Sequence, residues 1–121
     1  MRRLGQLERR VLDVLWDSPE APLSGRDIAD RLPDRAYTTV LTVLERLRRK
    51  DFVRRTTQGR VNYFQAADSR EAYVAEIMMD AMGGATDRSR VLARFAEGVS
   101  PDEARLLSEA LQTAMEPEGE G

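Results

Sequence analysis

The 121-residue sequence predicts a mainly α-helical protein that contains one small β-hairpin. Three observations support this fold class. Apolar residues recur every three or four positions along most of the chain, which is the helical spacing. Two short runs rich in aromatic and β-branched residues lie on either side of Gly59, as in a hairpin. Proline, glycine and serine separate the helical stretches from one another.

The first two helices are short and are separated by a proline-containing loop. The first is predicted over Leu4 to Trp16, where apolar residues recur at helical spacing, and Asp17-Ser18-Pro19 ends it. Leu23 is expected to begin a very short strand. Ser24 is a suitable N-cap for the second helix, and Pro33 stops that helix.

The third helix, expected over residues 36–50, has two unlike faces. At roughly 100° per residue, an apolar stripe is formed by Val40, Val43, Leu44 and Leu47. The opposite side carries Thr38, Thr42, Glu45 and Arg49, and one flank carries Thr39 and Arg46. Threonine can approach base edges and arginine can reach guanine or phosphate, so this face suits the major groove of DNA. A solvated surface helix gives the same pattern, so the choice depends on the neighbouring elements.

The hairpin follows directly, with a strand from Phe52 to Thr57, a turn at Gln58-Gly59-Arg60 and a strand from Val61 to Gln65. Three helices and a hairpin in this order predict a winged helix-turn-helix domain over residues 1–67. In such a domain the third helix reads DNA and the hairpin reaches the flanking backbone. Ordinary exposed strand arginines are the alternative interpretation of the charges on the hairpin. The predicted DNA contacts are Thr38, Thr39, Thr42, Arg46, Arg49, Arg54, Arg55 and Arg60.

Residues 68–115 are predicted to form a helical dimerisation domain. Its helices are expected over Ser69 to Met82, over Thr86 to Glu97, and from the capping box Ser100-Pro101-Asp102-Glu103 onward. The apolar arc of the first covers roughly two-thirds of its circumference, more than one packing partner requires. A second subunit is the simplest cover, and a methionine-lined small-molecule pocket is the alternative. The predicted dimer contacts are Tyr73, Ile77, Met78, Met82, Leu92, Phe95, Leu107 and Leu111. The acidic tail 116–121 is expected to be disordered.

Composition limits the possible function classes. The chain has no cysteine and no histidine, which excludes disulfides, thiolate metal sites and cysteine or histidine catalysis, so no metal or cofactor is expected. It also lacks a glycine-rich phosphate loop, and the sequence therefore predicts a protein that is not an enzyme. No apolar run approaches the ~20 residues of a membrane helix. No signal peptide is predicted, so the expected location is the cytoplasm.

The net charge of −2 conceals a division between the two halves of the chain. Residues 1–66 hold 14 Lys and Arg against 9 Asp and Glu, whereas residues 67–121 hold 5 against 12. The basic N-terminal half favours a polyanionic partner such as double-stranded DNA, and the acidic remainder suits a solvated arm. The second hypothesis is a winged-helix module that docks onto another protein and does not bind DNA.

The third helix and the hairpin also resemble a known family. From Tyr37 to Lys50 the chain runs Tyr-Thr-Thr-Val-Leu-Thr-Val-Leu-Glu-Arg-Leu-Arg-Arg-Lys, followed by Phe52-Val53, Gly59-Arg60 and Tyr63. This pattern resembles the penicillinase-repressor family, which includes methicillin-resistance regulators and copper-transport repressors. The likeness covers nearly the whole chain. It implies a homodimeric winged-helix repressor of an inverted-repeat operator, controlling β-lactam-response or related genes, with C-terminal helices that intertwine between subunits.

The chain departs from the pattern of that family at several positions. The resemblance implies a sensor protease that responds to a β-lactam and leads to cleavage of an Asn-Phe bond in the arm. The matching bond is Arg94-Phe95, with arginine in place of asparagine. The copper branch carries a paired cysteine motif, which this chain lacks. Ala36 stands where relatives often have a capping serine, and Asp51 stands where glycine would usually end the third helix.

Overall fold

The computed structural model describes residues 4–116, and the helix and strand order predicted from the sequence is confirmed. The elements are α1 (Gln6–Trp16), β1 (Leu23–Ser24), α2 (Gly25–Asp30), α3 (Tyr37–Arg49), β2 (Val53–Gln58), β3 (Val61–Ala66), α4 (Arg70–Gly83), α5 (Arg88–Gly98) and α6 (Pro101–Met115). Apart from Glu116, the acidic tail predicted over 116–121 lies outside the described residues.

The first three helices and the sheet enclose one apolar core. The sheet is antiparallel with strand order β1-β3-β2, so the short strand predicted at Leu23 adds a third strand to the hairpin. Leu23 pairs with Phe64, and both side chains are buried. The most deeply buried side chains of the core are Val11, Leu12, Leu15, Ile28, Val40, Leu44 and Leu47.

The two departures from the family pattern, Ala36 and Asp51, lie at the two ends of α3, and the structure shows how each end is formed. Ala36 is the N-cap and offers no side-chain hydrogen bond to the first turn. At the other end, Asp51 adopts a left-handed conformation with φ of 68°. The N–H of Phe52 donates to the carbonyl of Leu47 at 2.9 Å, and the N–H of Asp51 donates to that of Arg48 at 3.0 Å. These two bonds form a Schellman motif, which turns the chain sharply from α3 into the hairpin.

The hairpin, which we call the wing (β2 and β3), has a tighter turn than predicted. Gln58 and Val61 are paired, so only Gly59 and Arg60 remain in the turn. β2 begins and ends one residue later than predicted, and β3 extends one residue further, to Ala66. Gly59 has φ of 64°, which glycine adopts without a steric penalty. Arg60 therefore stands at the tip of the wing.

The chain divides into two compact units after Asp80, within α4, whereas the sequence suggested a boundary after residue 67. Most of α4, from Arg70 to Asp80, belongs to the N-terminal unit. Tyr73 is only 6% exposed and packs against Trp16 and Phe52, with ring centroids 5.6 and 5.7 Å apart. Tyr73 is therefore largely covered within the N-terminal core, and its contact with a second subunit stays a prediction.

In the C-terminal unit, α5 begins at the N-cap Asp87, and α6 begins at the predicted capping box of Ser100 and Glu103. Neither helix buries a residue within the single chain. Large apolar residues on both helices are exposed, namely Val91, Leu92, Phe95, Leu107 and Leu111. An isolated chain thus leaves the apolar stripes of α5 and α6 in water.

Candidate nucleic-acid interface

The two faces predicted for α3 are present in the structure. Val40, Val43, Leu44 and Leu47 are at most 3% exposed and anchor the helix in the core. The opposite surface, which we call the polar face of α3, consists of Thr38, Thr39, Thr42, Glu45, Arg46 and Arg49. All of these are exposed except Glu45, whose side chain is 32% exposed. The core therefore fixes the helix while its hydroxyl and guanidinium groups face outward.

Thr42 has a more restricted chemistry than the sequence indicates. Its hydroxyl donates to the carbonyl of Thr38 at 3.0 Å, so the hydroxyl proton is already used within the helix. The methyl group and the oxygen lone pairs remain available to a partner. Thr42 is thus suited to contact a thymine methyl or to accept a hydrogen bond from a base amino group.

Glu45 connects α3 to the wing through a cluster of arginines. Its carboxylate is bound side-on by the guanidinium of Arg48 and lies 3.7 Å from Arg49 Nε and 3.7 Å from Arg55 Nη1. The hydrogen bond from Arg48 lowers the pKa of Glu45 despite the partial burial that opposes ionisation. The sequence placed Glu45 on the exposed face but gave it no function.

The three wing arginines do not share one surface. Arg55 is paired in register with the buried Phe64, so both side chains lie on the side of the sheet that faces α3. Arg60 is exposed at the tip. Arg54 projects from the opposite side of β2, and its guanidinium donates to the carbonyl of Ala67 at 2.7 Å. Arg54 therefore stands apart from the polar face of α3, because successive side chains of a strand alternate between its two sides.

Sequence reasoning missed Arg26, which lies on α2 beside the start of α3. The carbon of its guanidinium is 4.2 Å from the centroid of the Tyr37 ring, within the range of a cation–π contact. Both residues line a groove that also includes Arg60 and Asn62 of the wing. A Cβ atom at Gly25 would come within 2.7 Å of Leu41, so this glycine allows α2 to approach α3 closely. The signal available in the sequence was an arginine near the start of α2 and an aromatic residue at the start of α3.

Two ion pairs hold the ends of α3 in place. The guanidinium of Arg10 binds both oxygens of Asp34 at 2.9 Å, just before the helix, and lowers the pKa of Asp34 to about 2. At the far end, Lys50 Nζ lies 2.9 and 3.0 Å from the carboxylate oxygens of Glu8, whose side chain is 6% exposed. Burial opposes the ionisation of Glu8, but the Gly5 N–H and the Lys50 ammonium outweigh it and lower the pKa of Glu8.

Within residues 4–116, no group of three acidic side chains is placed to hold a metal ion. No helix in that range is long and apolar enough to cross a membrane. The polar face of α3, the wing tip and the groove beside Arg26 remain the candidate functional surface.

Comparison with known proteins agrees with this geometry. The family model described as "Penicillinase repressor" matches residues 4–113. Two relatives from Mycobacterium tuberculosis, of the CDC 1551 and H37Rv strains, are each called transcriptional regulator BlaI. Each is 40% identical to this chain over 117 residues, covering 92% of this chain and 84% of its own.

Solved structures share the fold at low sequence identity. An S. aureus MepR mutant bound to an oligodeoxyribonucleotide has a TM-score of 0.53 and 17% identity, covering 93% of this chain and 78% of its own. A MarR family protein from Bacillus stearothermophilus has a TM-score of 0.51 and 18% identity, covering 93% and 74%. These neighbours establish the winged-helix fold. With a family match over most of its length and relatives at 40% identity, the chain belongs to the penicillinase repressor family, whose members are transcriptional regulators and not enzymes.

Proposed function

We propose that the protein acts as a homodimeric repressor that binds an inverted-repeat operator in double-stranded DNA. The observation that carries this proposal is the polar face of α3, held on a rigid core and flanked by the arginine at the wing tip. Threonine hydroxyls and arginine guanidinium groups are the side chains that read base edges and phosphates in a major groove. In a dimer, two copies of α3 would lie in successive major grooves about 34 Å apart.

The homodimer is supported by the apolar side chains that the single chain leaves exposed. Leu92 and Leu111 are each 53% exposed, and Phe95 and Leu107 are each 41% exposed. A row of large apolar side chains on two adjacent helices is unfavourable in water and is typical of a surface covered by another subunit. On α4, Met78 is 49% exposed, and Ile77 and Met82 of the same helix are half-buried.

One further predicted partner, a sensor protease, follows from the family resemblance. The bond matching the family cleavage site joins Arg94 and Phe95 in the middle of α5. A sensor protease would have to unwind α5 and accept arginine before the cut, and the cut would separate α6 from the rest of the chain. We propose the cytoplasm as the location, because an operator-binding protein must reach chromosomal DNA. Mass spectrometry of the protein from cells grown with and without a β-lactam would reveal cleavage at this bond.

DNA binding can be tested without knowledge of the operator. The full chain would be used to select sequences from a randomised 30-bp duplex pool, and its affinity for a selected and a scrambled duplex would then be titrated across a salt series. A DNA-binding repressor loses affinity steeply as salt rises, with a slope of about −0.9 per phosphate contacted. A selected inverted repeat with such a slope would support the proposal, and no measurable duplex affinity would favour the protein-docking module.

Two variants would distinguish sequence-specific contacts to bases from sequence-independent contacts to phosphates. Arg60→Ala is expected to weaken binding to the selected and the scrambled duplex alike, because a wing-tip arginine meets phosphates that are present in every sequence. Thr42→Ala is expected to change the selected sequence, because it removes the methyl group and the oxygen that face outward. The reverse pattern would contradict the assigned roles.

Sedimentation of Phe95→Glu would test the dimer, since a charge in the apolar row should shift the protein to monomer.

A further inference from the structure

The polar face of α3 contains one carboxylate, that of Glu45, which is unexpected on a surface meant for a polyanion. Glu45 follows Thr42 by about one helical turn and precedes Arg49 by another. A carboxylate facing phosphates or the acceptor atoms of guanine is repelled, so a residue chosen only for affinity would be neutral or basic. Because Glu45 lies between residues predicted to contact bases, we expect its role to concern base recognition.

The surrounding contacts hold this carboxylate in one position and keep it ionised. Arg48 binds it with two nitrogens, Arg49 approaches from the next turn of α3, and Arg55 approaches from the wing. Four charges thus join two elements of the candidate interface, with a net charge of +2. Each carboxylate oxygen can accept two hydrogen bonds. The side-on contact with Arg48 therefore leaves acceptor capacity on Glu45 for a donor from a partner.

We propose that Glu45 is a specificity-determining residue of the DNA interface, which accepts a hydrogen bond from a cytosine amino group in the major groove. This inference rests on the proposed function. Among the base edges of the major groove, the N4 amino group of cytosine is the donor that pairs with a carboxylate side chain. Guanine presents acceptors at O6 and N7 and is repelled. The arginines around Glu45 keep the side chain in place and offset its repulsion of the DNA backbone.

The test is a second selection from the randomised duplex pool, run in parallel with the full wild-type chain and with Glu45→Gln. For the wild type we expect one position of each half-site to be cytosine, and replacing it with guanine should weaken binding roughly 5- to 100-fold. With Glu45→Gln that position should shift to adenine, because an amide pairs with N6 and N7 of adenine. Glu45→Ala should relax the position without a new preference.

A matched control is Glu20→Gln, which removes the same charge from an exposed residue in the loop before β1. The control should leave the selected sequence unchanged. Glu45→Gln, by contrast, should also bind the scrambled duplex more tightly and with a steeper salt dependence, because the variant releases Arg55 to contact phosphates. If the wild type binds DNA but Glu45→Gln selects the same sequence with the same affinity, Glu45 is only a surface ion pair and the inference is wrong. If the wild type binds no duplex, the proposed function itself fails. Thermal unfolding of each variant would confirm that the compared proteins are folded.

Discussion

Lys50→Met should destabilise the N-terminal unit by leaving a buried carboxylate without its cation. Glu8 is 6% exposed and is held by Lys50, whose own side chain is 35% exposed. Removing one partner of a buried ion pair costs about 3–5 kcal/mol. Solvent reaches the lysine and relieves part of this cost, so we expect about 2 kcal/mol at neutral pH. With a urea dependence of about 1–3 kcal/mol per molar, the unfolding midpoint should fall by roughly 1 M.

The pH dependence of this loss distinguishes a charge effect from lost packing. The pKa of Glu8 lies below its ordinary value of 4.5 in the folded protein, so the pair contributes stability above that pH and loses it as pH falls below. In Lys50→Met the unpaired carboxylate should take up a proton more readily, and the difference from wild type should shrink toward pH 4. Glu8→Gln combined with Lys50→Met should lose less than the two single variants together. Urea unfolding at fixed protein concentration measures both effects. A loss that is equal at pH 7 and pH 4, or additive in the double variant, would refute this reasoning.

Three further predictions concern other contacts of the N-terminal unit. Arg26→Gln should weaken binding to the selected and scrambled duplexes alike and reduce the salt slope by about 0.9, as expected for one lost phosphate contact. Arg31→Gln, at the C-terminal end of α2, serves as the control. Tyr73→Ala should lower the free energy of unfolding by about 3 kcal/mol, because a large buried ring is lost, and unfolding followed by Trp16 fluorescence would measure it. Asp34→Asn should flatten the loss of stability between about pH 4 and pH 2, since the low pKa of Asp34 contributes stability above its ordinary value of 3.8 and loses it as the carboxyl is protonated. An unchanged acid profile would contradict a stabilising role for the Arg10–Asp34 pair.

The elements of the fold were predictable because their signals are local. Helical spacing identified the core stripe of α3, and the serine with a glutamate three residues later identified the start of α6. The left-handed end of α3 at Asp51 also agreed with a departure visible in the sequence. Periodicity within ten or fifteen residues is enough for these features.

The contacts that arrange the candidate site were not predictable in the same way. Glu8 and Lys50 are 42 residues apart, and nothing in either local pattern identifies the other. Arg54 and Arg55 are adjacent in sequence, yet one binds the carbonyl of Ala67 and the other joins the cluster around Glu45. The face of a strand that meets a helix depends on the register of the sheet, which a single strand does not specify. The packing of Tyr73 against Trp16 and Phe52 is a related case, because a helical wheel shows that a side chain is buried but not what covers it.

The anchoring of α3 separates the stability of the fold from the chemistry of its polar face. Its buried stripe and the ion pairs at its two ends, Arg10–Asp34 and Glu8–Lys50, involve none of the outward threonines. Among the outward arginines, Arg46 contributes a favourable charge interaction with Glu8. Exposed positions without such contacts usually change stability by less than about 0.5 kcal/mol when substituted. Replacing Thr38 or Thr39 should therefore leave the helix in place and change only what it recognises. Glu45 differs because its arginines tie α3 to the wing, so a substitution there should alter the recognised sequence and the mobility of the wing together.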